Sequence, residues 1–272
     1  MELELGLFDE AAENYLKVLN RQEASTHTIA AYGQGAALLA IAQRDSQDGK
    51  AGAAFGHIQR AIQGCLTLTE QYACVRKLLG DLYSFGATLP PDIFIGETGK
   101  ESDVSGMDML RAQLQFIAKG EEAYRSAVNM QVQSGKDDLD VARACIVCDI
   151  GANILLQGER LSSILGTGEG SDSASVSYIS EVADCYRRAA EEFRTAIKLV
   201  PLYAPAWCGL GCAVATSDPL LSQHALCRCL ELDKMFADSY ANLGFLYVSH
   251  DAMSASETVM DSLTQVRVCC GG

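Results

Sequence analysis

The sequence predicts an all-α protein, an α-solenoid of stacked helical hairpins interrupted by long insertions. Three observations carry this prediction. The composition favours helix, with only five prolines in 272 residues, abundant Ala and Leu, and few alternating β-branched runs. One spacing of small and large apolar residues occurs twice between residues 183 and 248. Glycines recur inside predicted helices, where a missing side chain lets a neighbouring helix approach closely.

The first copy of the spacing is Ala189, Phe193, Ala196 and Pro201, followed by Trp207, Leu210 and Gly211. The second is Tyr240, Leu243, Gly244 and Tyr247, with Gly211 and Gly244 thirty-three residues apart. These match the two halves of the tetratricopeptide repeat. Its first helix reads W-x2-L-G-x2-Y, and its second reads A-x3-F-x2-A with a later Pro. The small residues let the two helices close up, and the Trp or Tyr fills the gap beside them. Pro201 has no N–H to give and ends its helix. A single hairpin cannot bury its apolar face alone, so neighbours must stack.

The elements follow in order. Residues 1–22 are a half hairpin whose helix, 8–20, has Asp9 as N-cap and Ala11, Tyr15 and Val18 at second-helix spacing. No first helix precedes it, so the chain is expected to be a piece of a longer array. Irregular hairpins occupy 23–133. Helix 27–43 carries Gly35 at the close-contact position, and RDSQDGK (44–50) is a polar turn. Helix 51–69 puts Ile58, Ile62, Cys65 and Leu66 on one face. Helix 72–86 repeats the first-helix pattern as Leu79, Gly80 and Tyr83, with Arg76 where the repeat has Trp. Pro90-Pro91 and three glycines mark 87–106 as an irregular insertion. Helix 107–132 then has Gly120, Tyr124 and Ala127 in small–large–small order.

Residues 134–201 form a long-helix hairpin. Helix 139–164 carries Ile150, Gly151 and Ile154, a glycine-rich loop spans 166–175, and helix 176–199 returns. Regular hairpins follow at 202–234 and 235–268, the last helix being 253–267. The CCGG end continues no pattern. Residues 1–272 thus read as one solenoid segment. Solenoid ends need polar caps, so the isolated segment is expected to be marginally stable or to associate.

The net charge of −14 excludes two partner classes. A nucleic-acid surface needs clustered Lys and Arg, and here they are scattered. An anionic membrane surface is disfavoured for the same reason. The longest uncharged run, 24–43, holds several hydroxyl and amide side chains and is too polar for a span. Eleven cysteines accompany a start with four acidic residues and no basic leader. That combination predicts free thiols in a reducing compartment, the cytoplasm first and the nucleus second.

Candidate chemistry is thin. GETGKES (96–102) suggests a phosphate loop, but only two residues separate Gly96 and Gly99, and Ser102 follows Lys100 by two. Cys145 and Cys148, Cys208 and Cys212, and Cys227 and Cys229 sit in predicted helices, where thiols pack as small apolar groups. His27, His57, His224 and His250 stand apart from one another, and Ser222, His224, His250 and Asp251 read as helix-end or surface residues. The pairs Glu121-Glu122, Asp137-Asp138 and Glu191-Glu192 read as solvated faces. No catalytic constellation, metal site or cofactor site is expected.

The concave face is more informative. With each close-contact glycine as position eight, positions two, five, nine and twelve of a first helix face inward. In the first such helix after the insertion-free start these are Cys74, Lys77, Asp81 and Ser84. In the later helices the count selects Cys145, Cys148, Leu155, Cys208, Cys212, Asp238, Ala241, Phe245 and Val248 as candidate partner-binding residues, with Ala152, Pro205 and Ala215 beside them. Most are small and apolar, which suits an apolar helix or ordered segment, or packing within the superhelix itself. Chaperone-binding members of this repeat class clamp a peptide carboxylate with Lys, Arg and Asn, and that cluster is missing.

Four stretches resemble a single family: RKLLGDLYSFGATLPPD (76–92), VCDIGANIL (147–155), CYRRAAEEFRTAIKLVPLYAPAWCGLGCAV (185–214) and SQHALCRCLELDKMFADSYANLGFLYVSHD (222–251). In their order and gaps, across about 8–265, they are similar to the tetratricopeptide scaffold subunit of the superkiller complex. The resemblance implies a non-enzymatic, cytoplasmic scaffold that holds an RNA helicase and WD40-propeller subunits. It further implies support of exosome-mediated 3′-to-5′ mRNA decay, with a co-chaperone-like tetratricopeptide adaptor as the alternative. Arg76 at a Trp position, Gln34 at a Leu position and the CCGG end depart from the family pattern.

Overall fold

The computed structural model describes residues 7–20, 27–68, 72–98, 106–133, 140–166 and 172–249. Every regular element among them is helical. They are α1 (Phe8–Leu19), α2 (His27–Gln47), α3 (Ala51–Leu66), α4 (Ala73–Thr88), α5 (Gly106–Gln133), α6 (Asp140–Gly166), α7 (Asp172–Leu199), α8 (Ala204–Val214), α9 (Pro219–Leu232) and α10 (Ala237–Ser249). A 3-10 helix, Pro91–Thr98, lies between α4 and α5. The chain divides into two compact units, Met1–Gly135 and Lys136–Gly272.

In the first unit each helix packs on the next, from α1 through α5, and α2 also reaches α4. Neighbour-on-neighbour packing with contact between alternate helices is how stacked hairpins bury a shared core. The glycine positions explain the close approach. The Tyr124 ring of α5 occupies the space a side chain on Gly80 of α4 would need. The Tyr124 hydroxyl then donates to Asp81 at 2.9 Å, and Lys77 holds the same carboxylate at 2.9 Å. A Cβ on Gly35 would stand 2.9 Å from Leu78 and 3.4 Å from the Cys65 sulfur.

Several boundaries and placements differ from the sequence reading. The α2 helix runs through Gln47, because Asp9 of α1 pairs with Arg44 at 2.8 Å and His57 of α3 meets Asp45 at 3.3 Å. The turn is confined to residues 48–50, where Gly49 adopts a φ of 76° and Lys50 N–H returns to the Asp45 carbonyl. Asp9 accordingly sits in the first turn of α1 and does not cap it; Leu7 occupies the cap position. Leu66, at the end of α3, is exposed and lies off the Ile58–Ile62–Cys65 face.

Of the expected irregular insertion, Pro91–Thr98 form a 3-10 helix, and residues 99–105 lie outside the described residues. Phe94 of the 3-10 helix is fully buried and packs against Phe55 and Phe116 at ring separations of 5.0 and 5.2 Å. Tyr83 completes the cluster edge-on to Phe116. Pro90-Pro91 stop α4 and leave its last carbonyls without helical partners. The buried amide of Gln113 donates to Leu89 O at 2.8 Å and Ala87 O at 3.4 Å.

In the second unit α6 through α10 pack successively, while α6 touches α8 and α8 touches α10. Ala189, Phe193 and Ala196 are all buried on α7, as the repeat spacing requires. Phe193 fills the space beside Gly151 of α6 and Gly209 of α8. Leu226 of α9 takes the corresponding place beside Gly211, where a Cβ would be 2.6 Å from its Cγ. Helix α7 ends at Leu199, two residues before Pro201. The Trp207 indole N–H donates to Pro201 O at 2.9 Å, which fixes the next helix against that end. Asp218 caps α9 through Leu221 N–H at 3.0 Å, with Pro219 in the first turn. Leu243 and Tyr247 are buried, and Gln223 donates to the Tyr247 hydroxyl at 3.0 Å. Ser222, read from sequence as a helix-end or surface residue, is fully buried and donates to Gly211 O at 2.7 Å. The expected helix 253–267 lies outside the described residues.

Candidate partner-binding face

The first helices of the second unit, α6, α8 and α10, lie side by side, since each touches the next of the three. The position count draws its later candidate partner-binding residues from these three helices. On α10, Asp238, Ala241, Phe245 and Val248 are exposed, in steps of three, four and three that make one helical stripe. Phe245 is 71% and Val248 65% exposed. Cys145 and Leu155 of α6 and Cys212 of α8 are half-buried, and Ala152 is exposed.

Two candidates are removed from the face. Cys148 of α6 and Cys208 of α8, each at position five of its helix, are buried, whereas Ala241, at position five of α10, is exposed. Cys208 belongs to a core with Leu226, Cys229, Leu243 and Leu246. The Asn242 amide of α10 lies 3.2 Å from the Cys212 sulfur and 3.8 Å from that of Cys208. Asn242 and Cys229 went unselected in the sequence because neither occupies a position that the repeat defines.

Burial pushes the Cys148 thiol up to about 12 and the Cys65 thiol, in the first unit, up to about 11. Cys212 and Cys229 donate to Cys208, so their own pKa values rise while that of Cys208 falls. Proton loss from this trio would therefore fall on Cys208, which is buried together with Cys229. Burial, followed by its hydrogen bond with Cys145, also raises the Tyr203 hydroxyl. Among the described residues no three His, Cys, Asp or Glu side chains converge to hold a metal. Of GETGKES, residues 96–98 close the 3-10 helix and 99–102 lie outside the described residues. Among the described residues one helical stretch, Asp140–Ser163, is long and apolar enough to cross a membrane, and half of its apolar window is buried. Ile146, Ile150 and Ile154 account for its apolarity as core side chains.

No protein-family model matches the chain. No curated protein matches its sequence. Among solved structures the chain is similar to the assembly chaperone of RpL4, Acl4 (residues 1–338), with a TM-score of 0.53 and 13% identity, covering 96% of this chain and 88% of that one. It also aligns with BtubC (BKLC) from P. vanneervenii, with a TM-score of 0.47 and 15% identity over 100% of this chain and 92% of that one. A third alignment is with the TPR2AB domain of yeast Sti1 in its pHSP90 complex, with a TM-score of 0.30 and 14% identity over 98% and 86%. At these identities the likeness speaks to fold alone, and it is the fold the spacing predicted: an all-α solenoid of tetratricopeptide-like helical hairpins.

Proposed function

We propose that this chain is a non-catalytic protein–protein scaffold of the superkiller type. In this reading it holds an RNA helicase and WD40-propeller subunits together in the cytoplasm, in support of exosome-mediated 3′-to-5′ mRNA decay. One observation supports the scaffold reading above others. The outward stripe of α10 leaves Phe245 and Val248 in solvent. Exposed apolar side chains on a rigid stacked face are what a protein partner covers. The superkiller assignment itself draws on the order and gaps of the four stretches quoted above. The test is affinity purification of the full-length chain from cytosol. The reading expects a helicase and a WD40 protein in the eluate, and a clean eluate lacking both overturns it.

A second reading, an adaptor or chaperone in another pathway, draws on the likeness to the assembly chaperone of RpL4. It uses the same face. Co-purification of a different, stoichiometric protein partner without helicase or WD40 subunits would favour it. Titration with an acidic C-terminal peptide separates out the carboxylate-clamp variety. The scaffold reading expects no binding, because the outward positions carry no cationic cluster.

A further inference from the structure

We draw no further inference here: the strongest candidate, the thiol cluster of Cys208, Cys212 and Cys229 where α8, α9 and α10 meet, carries nothing because Cys208 and Cys229 are enclosed in the core, where a thiol packs as a small apolar group and does not react.

Discussion

Phe193 lies against Gly209, its ring in the space that a Cβ at that position would fill. The same ring meets Gly151, where a Cβ would stand 2.9 Å from Cε1. One side chain of α7 thereby joins α6 and α8. Gly209→Ala must displace a ring that is only 1% exposed, so it should destabilise the second unit by about 1–3 kcal/mol. Urea unfolding followed through Trp207, the sole tryptophan, reads this directly. An unchanged midpoint would show that the ring can yield.

Gly56, inside α3, provides the opposite case. A Cβ there meets nothing within 4 Å. Gly56→Ala should stabilise the first unit by about 0.5–1 kcal/mol through helix propensity alone. A rise in thermal midpoint by circular dichroism confirms it, and a fall would mean that the position is crowded.

Much of this arrangement was legible in the chain. Gly151, Phe193, Gly211 and Gly244 announce hairpins because a glycine paired with a large apolar residue at fixed spacing has few other uses in a helix. Gly209 was not legible: in Gly209-Leu210-Gly211 the repeat assigns a role only to the second glycine, and the first acquires its role from a ring on another helix. The position count selected Phe245 and Val248, which are exposed, together with Cys148 and Cys208, which are buried. A helical wheel gives direction around one axis, while burial depends on where the next hairpin sits. Phe94 was hidden for a different reason. Two prolines read as the start of irregular chain, and nothing local reveals that a 3-10 turn will carry an aromatic residue back to Phe55 and Phe116.

Gln113 is a polar side chain kept inside by the carbonyls that Pro90-Pro91 release. Gln113→Leu retains most of the volume and removes the donor. It should cost about 1–3 kcal/mol, the penalty for stranding buried carbonyls, and should raise the amide exchange rates of the 3-10 helix above the parent. Exchange and stability equal to the parent would mean that water satisfies those carbonyls instead.

The buried thiols make stability fall at high pH. In the unfolded chain Cys65 and Cys148 ionise near the ordinary thiol value of 9.0, while in the folded chain burial holds them protonated up to about 11 and about 12. Above pH 9 the unfolded state thus binds fewer protons than the folded one, so unfolding becomes easier with rising pH. The loss should reach about 2 kcal/mol per thiol by pH 11. A Cys65→Ala, Cys148→Ala variant should show a visibly flatter decline between pH 9 and 11 in denaturant unfolding. An identical slope would assign the alkaline loss to other groups.

The central claim is that the α10 stripe is covered by a protein. Replacing Phe245 with a photo-crosslinking phenylalanine analogue in the full-length chain, in cells, tests it most directly. The account predicts light-dependent adducts at position 245 whose partner peptides come from a helicase or WD40 subunit, with no such adduct from the same analogue at Gly56. Adducts at 56 but none at 245 would contradict it.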